Sequence, residues 1–384
     1  MTETLTASSQ TLPVLALFLP SLGGGGAERV MVTLANGYAE RGQVVHLVLG
    51  EAVGVYLADL HPAVHVVDLK VPRVLRALLP LARYLKRERP AALLSAMNHA
   101  NVVALVAARM AGARTRVVVA EHNTISVESE RVRGVGAKAV YALVKRLYSQ
   151  AAAVVAVSRN AAEDLTRFAR LSAGRVTTIY NPFDLAQIAK LAIQPVDHPW
   201  FAQGQPPVVL AIGRLTDAKD FPTLLKSFAL LRARRPARLL ILGEGNARAE
   251  LETLALELGL TADTFQMPGF VTNPYSYLAR CGMFVLSSRW EGFGNVLVEA
   301  MACGAPIVST DCPSGPREIL EGGRWGRLTA VENPSELAEA MDDVLNMPRE
   351  NLPNVRLRAA DFDMRHALKA YWAVLMPSQS NPFQ

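Results

Sequence analysis

The chain has 384 residues, 51% of them hydrophobic and 19% charged, with a formal net charge of +6. That is enough apolar material for two domains of ordinary size, each with its own core. The three cysteines, Cys281, Cys303 and Cys312, are odd in number and lack metal-site spacing, which argues against a disulfide framework and for a reducing compartment.

The N-terminus is polar and has no basic segment ahead of an apolar one. The apolar run 12–22 is too short to span a bilayer, so it is expected as the first buried strand of a cytoplasmic protein. VLALFLP (14–20) leads through the glycine loop 23–26 into the helical pattern AERVMVTLANGYAERG. VVHLVLG (44–50), VHVVDL (64–69), ALLSA (92–96), RVVVAEH (116–122), AVVAVS (153–158) and RVTTIYN (175–181) follow, with helical patterns between them. Apolar runs separated by helices predict parallel strands covered on both faces, a doubly wound sheet. The pattern lapses near 185–207 into a proline-rich polar stretch, read as a linker. It restarts with VVLAIGR (208–214), a helix over 221–234, RLLILGEG (238–245), a helix over 246–258, FQMPGF (265–270), MFVLSS (283–288), a helix over 295–303 and PIVST (306–310). The expected division is a Rossmann-like domain over 1–190, a linker over 191–206 and a second Rossmann-like domain over 207–360. No repeat of short period and no low-complexity block is present.

Charge is unevenly placed. Residues 1–190 hold 22 Lys and Arg against 13 Asp and Glu, and the remainder 18 against 21. The excess concentrates in VPRVLRALLPLARYLKRERP (71–90) and RVRGVGAKAVYALVKRLY (131–148), where basic residues alternate with leucine, valine and tyrosine at helical spacing. Such segments suit an anionic membrane surface; two amphipathic helices with solvated basic faces are the plainer alternative. Nucleic acid is not expected as a partner, since aromatic platforms and a recognised binding module are absent.

The most informative stretch is EGFGNVLVE, which places Glu291 and Glu299 around a glycine-rich turn. Glu291 is expected at a strand's exit, Gly292-Phe293-Gly294 at a helix N-terminus and Glu299 about one turn further in. Free backbone N–H groups and the positive end of the helix dipole suit a phosphate. Carboxylates on either side suit the hydroxyls of sugars attached to it. A sugar, a diphosphate and a ribose together make a nucleotide sugar. Arg214 and Lys219, at the end of another strand and in its following loop, are two cations able to neutralise a leaving diphosphate without a metal. No Asp-x-Asp pair sits at a strand end, so neither a metal nor another cofactor is expected beyond the nucleotide-sugar co-substrate.

The same run resembles the E-x7-E signature of retaining glycosyltransferases of family 4, which have the GT-B fold. GGGGAERV (23–30), EHN (121–123), YNPFD (180–184), GRLTDAKDFPTLLKSF (213–228), GEGN (243–246), PGF (268–270) and CPSGPREIL (312–320) extend the resemblance in the family's order. It implies two Rossmann-like domains facing a cleft, with the C-terminal helix (361–384) packed back on the first. It also implies that Glu291 meets the donor sugar, that Glu299 holds the ribose, and that Phe293, Gly294 and Asn295 present N–H groups to the phosphates. By the same resemblance Arg214 and Lys219 bind the donor phosphates, and His122 lies near the donor sugar. Gly25 and Gly26 meet the donor diphosphate on domain closure, while Gly243, Met267 and Phe270 line the donor cleft. The base is left open between UDP and GDP. The expected acceptor is a lipid-linked or other glycan in bacterial cell-surface polysaccharide assembly, at the inner face of the cytoplasmic membrane. A nucleotide-sugar epimerase of GT-B architecture, a silent sugar-binding module and an NAD-dependent dehydrogenase are the alternatives. The last is weakened by Glu28, which stands where a dinucleotide fingerprint wants glycine.

Overall fold

The structure is a computed structural model that describes residues 13–379 and 381. The strands are β1 (Leu15–Leu19), β2 (Val45–Leu49), β3 (Val64–Asp68), β4 (Ala92–Ala96), β5 (Arg116–Glu121), β6 (Ala153–Ala156) and β7 (Val176–Thr178), then β8 (Val208–Ile212), β9 (Arg238–Leu242), β10 (Phe265–Gly269), β11 (Met283–Leu286), β12 (Ile307–Thr310) and β13 (Arg327–Thr329). They form a seven-stranded sheet, β3-β2-β1-β4-β5-β6-β7, and a six-stranded sheet, β10-β9-β8-β11-β12-β13. Every pairing from β3 through to β5 is parallel, as is every pairing of the six-stranded sheet. All residues of β1 and β4 are buried, as expected of central strands covered on both faces by helices. The sequence expectation of a doubly wound α/β architecture with two Rossmann-like sheets holds.

Strand order reverses between β1 and β4 in one sheet and between β8 and β11 in the other. In open parallel sheets such a reversal leaves a crevice beyond the carboxyl ends of the two strands, because their crossover helices lie on opposite faces. The residues that follow β8 and β11 include Arg214, Lys219 and Glu291.

The chain groups into two compact units, one of Met1–Ala120, Val135–Val154 and Leu368–Gln384, the other of Glu121–Gly134 and Val155–Ala367. The second unit therefore begins well before the boundary expected at residue 190. The reason is hydrogen bonding: Thr124, Ser158, Tyr180 and Asn181 bond to residues 291–318 of the same unit. The stretch 191–206 contains a short 3-10 turn, Pro199–Phe201, that buries Trp200 in this unit's core. The helix Met364–Leu375 has its last two turns in the first unit. There the Leu368 carbonyl accepts from Tyr38 Oη at 2.9 Å, and the Leu368 side chain occupies the space that a Cβ on Gly37 would need.

Candidate active site

β8 ends at Ile212, and Gly213-Arg214 follows. The 3-10 turn Asp217–Lys219 then leads into the helix Phe221–Arg232. Arg214 is exposed, and no protein acceptor takes its guanidinium protons among the described residues. Lys219 folds back along Gly213 and places Nζ 2.5 Å from Glu291 Oε1. Ser288 Oγ donates to the same oxygen at 2.6 Å. One carboxylate oxygen of Glu291 thus holds a cation and a hydroxyl, while the other accepts from no protein donor among the described residues. Lys219 and Glu291 side chains are only 18% and 14% exposed, so their interaction is less screened than a surface ion pair.

The frame behind Lys219 comes from the exit of β11. Ser287 Oγ donates to the Lys219 carbonyl at 2.8 Å, Arg289 N to Ala218 O at 2.8 Å and the Arg289 guanidinium to Asp217 O at 3.1 Å. Arg289 also pairs with Asp217, with Glu332 at 2.7 Å and with the fully buried Asp220 at 3.0 Å. Burial raises the Asp220 carboxyl above its ordinary pKa, and the Arg289 guanidinium opposes that rise. Three successive carbonyls, 217 to 219, are thereby gripped by residues two to four places ahead of Glu291. Sequence reasoning did not single out Ser287, Ser288 or Arg289, because nothing local marks a serine or arginine in SSRWE as aimed at a distant loop.

Glu299 lies in the second turn of the helix Asn295–Cys303. It is 6% exposed, and Tyr275 Oη donates to its Oε1 at 3.3 Å. Tyr275 is a further residue that the sequence did not point to. Phe293 is buried against Tyr180, Phe183 and Phe362, so its contribution to a ligand is its backbone. Asn295 Oδ1 accepts from Asn181 Nδ2 at 2.7 Å.

His122 follows β5. Both its ring nitrogens are buried and meet no partner among the described residues. Burial pushes the imidazole down to about 4, so at neutral pH it is uncharged and offers one donor and one acceptor. Its own carbonyl lies against Gly292, where an added Cβ would come within 1.8 Å of it. Only glycine allows this approach.

Around β9 and β10 the loops are laced by backbone. Gly243 N donates to Gly269 O at 2.8 Å, and Leu215 N to Glu244 O at 2.9 Å. The Met267 carbonyl accepts from Arg248 at 3.1 Å, and Phe270 is 57% exposed. Gly25 and Gly26 belong to the first unit, where Gly25 precedes the helix Gly26–Ala39 and the Glu28 carboxylate lies over that helix's first turn. Among the described residues, no group of three or more His, Cys, Asp or Glu is placed to hold a metal ion.

Parallel α/β sheets of seven and six strands, with Lys219 paired to Glu291 beyond the β8–β11 reversal, are the architecture of the GT-B class. Anabaena HepE in complex with UDP and glucose superposes with a TM-score of 0.76 at 23% identity, covering 95% of this chain and 100% of that one. Two family models match, Glycosyltransferase Family 4 over residues 24–187 and Glycosyl transferases group 1 over 196–362. A Campylobacter jejuni N-acetylgalactosamine-N,N'-diacetylbacillosaminyl-diphospho-undecaprenol 4-alpha-N-acetylgalactosaminyltransferase is 30% identical over 364 residues, 90% of this chain and 95% of its own. A second C. jejuni protein, a GalNAc-alpha-(1->4)-GalNAc-alpha-(1->3)-diNAcBac-PP-undecaprenol alpha-1,4-N-acetyl-D-galactosaminyltransferase, is 24% identical over 383 residues, 96% of this chain and 99% of its own. The chain belongs to the family 4, group 1 glycosyltransferases. It is a transferase, and neither the dehydrogenase nor the epimerase alternative has support among these relatives.

Proposed function

We propose that the protein transfers a sugar, with retention of anomeric configuration, from a nucleotide sugar to a lipid-linked glycan in cell-surface polysaccharide assembly. The observation that carries this reading is the Lys219–Glu291 pair beside a helix-opening turn at the β8–β11 reversal. The C. jejuni relatives, named for undecaprenol-diphosphate-linked acceptors, favour a polyprenyl-diphosphate-linked glycan. HepE, solved with UDP, favours a UDP-sugar over a GDP-sugar.

In this reading the C–O bond between the anomeric carbon and the phosphate breaks, and its electron pair leaves on the phosphate oxygen. Arg214, Lys219 and the N–H groups of Phe293, Gly294 and Asn295 stabilise that charge without a metal. The acceptor hydroxyl forms the new C–O bond on the same face, and its proton goes to the departing phosphate. Glu291 keeps one oxygen for the donor sugar's hydroxyls while Lys219 and Ser288 hold the other. Glu299 takes the ribose hydroxyls, steadied by Tyr275. The neutral His122 ring hydrogen-bonds a sugar hydroxyl. Gly243, Met267 and Phe270 line the base and diphosphate end.

A thermal-shift screen with UDP, GDP and their sugars tests the donor. Wild type is expected to be stabilised by UDP. Glu299→Gln should weaken UDP binding roughly 10–100-fold, through loss of charge-assisted hydrogen bonds to the ribose. Glu291→Gln should bind UDP nearly as wild type yet transfer sugar at a small fraction of its rate. Wild-type turnover in both variants would remove these assignments.

A further inference from the structure

The turn that opens the helix Asn295–Cys303 is held by its carbonyls. The Glu291 carbonyl accepts from Thr124 Oγ1 at 2.8 Å, and the Gly292 carbonyl accepts from Ser158 Oγ at 2.9 Å. The Phe293 carbonyl lies against Gly315, where an added Cβ would come within 1.7 Å of it. Thr124 Oγ1 also lies 2.7 Å from Ser314 Oγ. Thr124, Ser158 and Ser314 are all buried, so water does not compete for these contacts.

Every peptide bond described is trans. In a trans peptide the C=O and N–H of one unit point in opposite directions and turn together. Anchoring the carbonyls of Glu291 and Gly292 therefore sets the directions of the Gly292 and Phe293 N–H groups. Among the described residues, the N–H groups of Gly292, Phe293, Gly294 and Asn295 donate to no protein acceptor. Four successive free donors beside the Lys219–Glu291 ion pair are an anion-binding arrangement only while their peptide planes stay put. A flipped plane would present a carbonyl oxygen to the anion instead.

We propose that Thr124 and Ser158 are positioning residues for the donor diphosphate. Their hydroxyls hold two adjoining peptide planes so that the N–H groups behind them face the phosphate oxygens, and neither hydroxyl touches the donor. The inference rests on the nucleotide-sugar reading and adds to it what keeps the phosphate donors aimed.

The test compares Thr124→Val and Ser158→Ala with the hydroxyl-retaining Thr124→Ser and Ser158→Thr. Calorimetric titration uses UDP, or GDP if that is what wild type binds, and the matching nucleoside. The Thr124 side chain caps nothing at the helix Ile125–Arg131, so its near-isosteric valine variant removes only the hydroxyl's bonds. Ser158 also caps the helix Arg159–Ala169 through Ala161 N, a bond that threonine retains. We expect nucleoside-diphosphate affinity to fall about tenfold in each loss variant, while nucleoside affinity stays within about twofold. The hydroxyl-retaining variants should restore it. In ligand-free Thr124→Val, ¹⁵N order parameters of the Gly292 and Phe293 amides should drop. Wild-type diphosphate affinity in Thr124→Val, or an equal loss for nucleoside and diphosphate, overturns the inference and leaves the donor reading standing. A wild-type protein that bound neither UDP nor GDP would overturn both.

Discussion

At the scale of single residues, the informative side chains are those whose surroundings contradict their solution habits. His122 is a basic group kept neutral by burial, its pKa lowered to about 4 from an ordinary value near 6.5. The folded protein therefore binds fewer protons at this ring than the unfolded chain does between those two values. Stability at this group is fully present above about pH 6.5 and is lost as pH falls towards 4, amounting to roughly 2–3 kcal/mol over that window. Denaturant midpoints measured from pH 7 to 4.5 should fall in wild type and fall less steeply in His122→Asn. Parallel slopes would mean the ring is accessible to protons in the folded state. Lys219 and Glu291 are the opposite case, two charges that share a half-buried space because each supplies the other's counter-ion.

At the scale of elements, chemistry is placed by short connections and held by long ones. The Asp217–Lys219 turn and the exit of β11 are far apart in sequence, yet Ser287 and Arg289 fasten one to the other through backbone carbonyls. The helix Met364–Leu375 illustrates attachment by packing. Phe183 N donates to Phe362 O, and Met364 N to Phe183 O, which fixes the approach to the helix in the second unit. Leu368 then fills the notch over Gly37 in the first. Leu368 is fully buried, and truncation would leave a cavity that the flanking Tyr38 and Trp372 rings cannot fill by rotating. Leu368→Ala should therefore destabilise the protein by about 2–4 kcal/mol in urea unfolding. A change under 1 kcal/mol would mean that the contact is loose.

At the scale of the whole molecule, charge and apolar exposure coincide in the first unit. The helices Leu78–Glu88 and Val135–Leu147 both pack on the helix Asn98–Ala111. Around them Leu75, Leu79, Val135 and Leu143 are exposed, as are Arg73, Arg76, Arg83, Lys86, Arg87 and Lys138. No helix among the described residues is long and apolar enough to cross a membrane. We propose that this face meets an anionic lipid surface, where apolar side chains insert and cations stay at the headgroups. Binding to vesicles containing phosphatidylglycerol should drop steeply between about 0.05 and 0.5 M salt, as screening shortens the reach of each charge. Binding that ignored salt, or none at low salt, would count against that face.

Much of this protein was legible in its sequence. Alternating apolar runs and helical patterns determine two parallel sheets, because a strand buried on both faces must be apolar throughout. The run around Glu291 and Glu299 placed a carboxylate, a glycine turn and a helix start in one stretch, since local spacing dictates local geometry. Tertiary structure alone decided that Lys219 meets Glu291 and that segment 121–134 joins the second unit. It also decided that Thr124, Ser158, Tyr275 and Arg289 stand behind the site. Those contacts join residues 24 to 167 positions apart. They depend on which strand lies beside which, and no local pattern of residues records that.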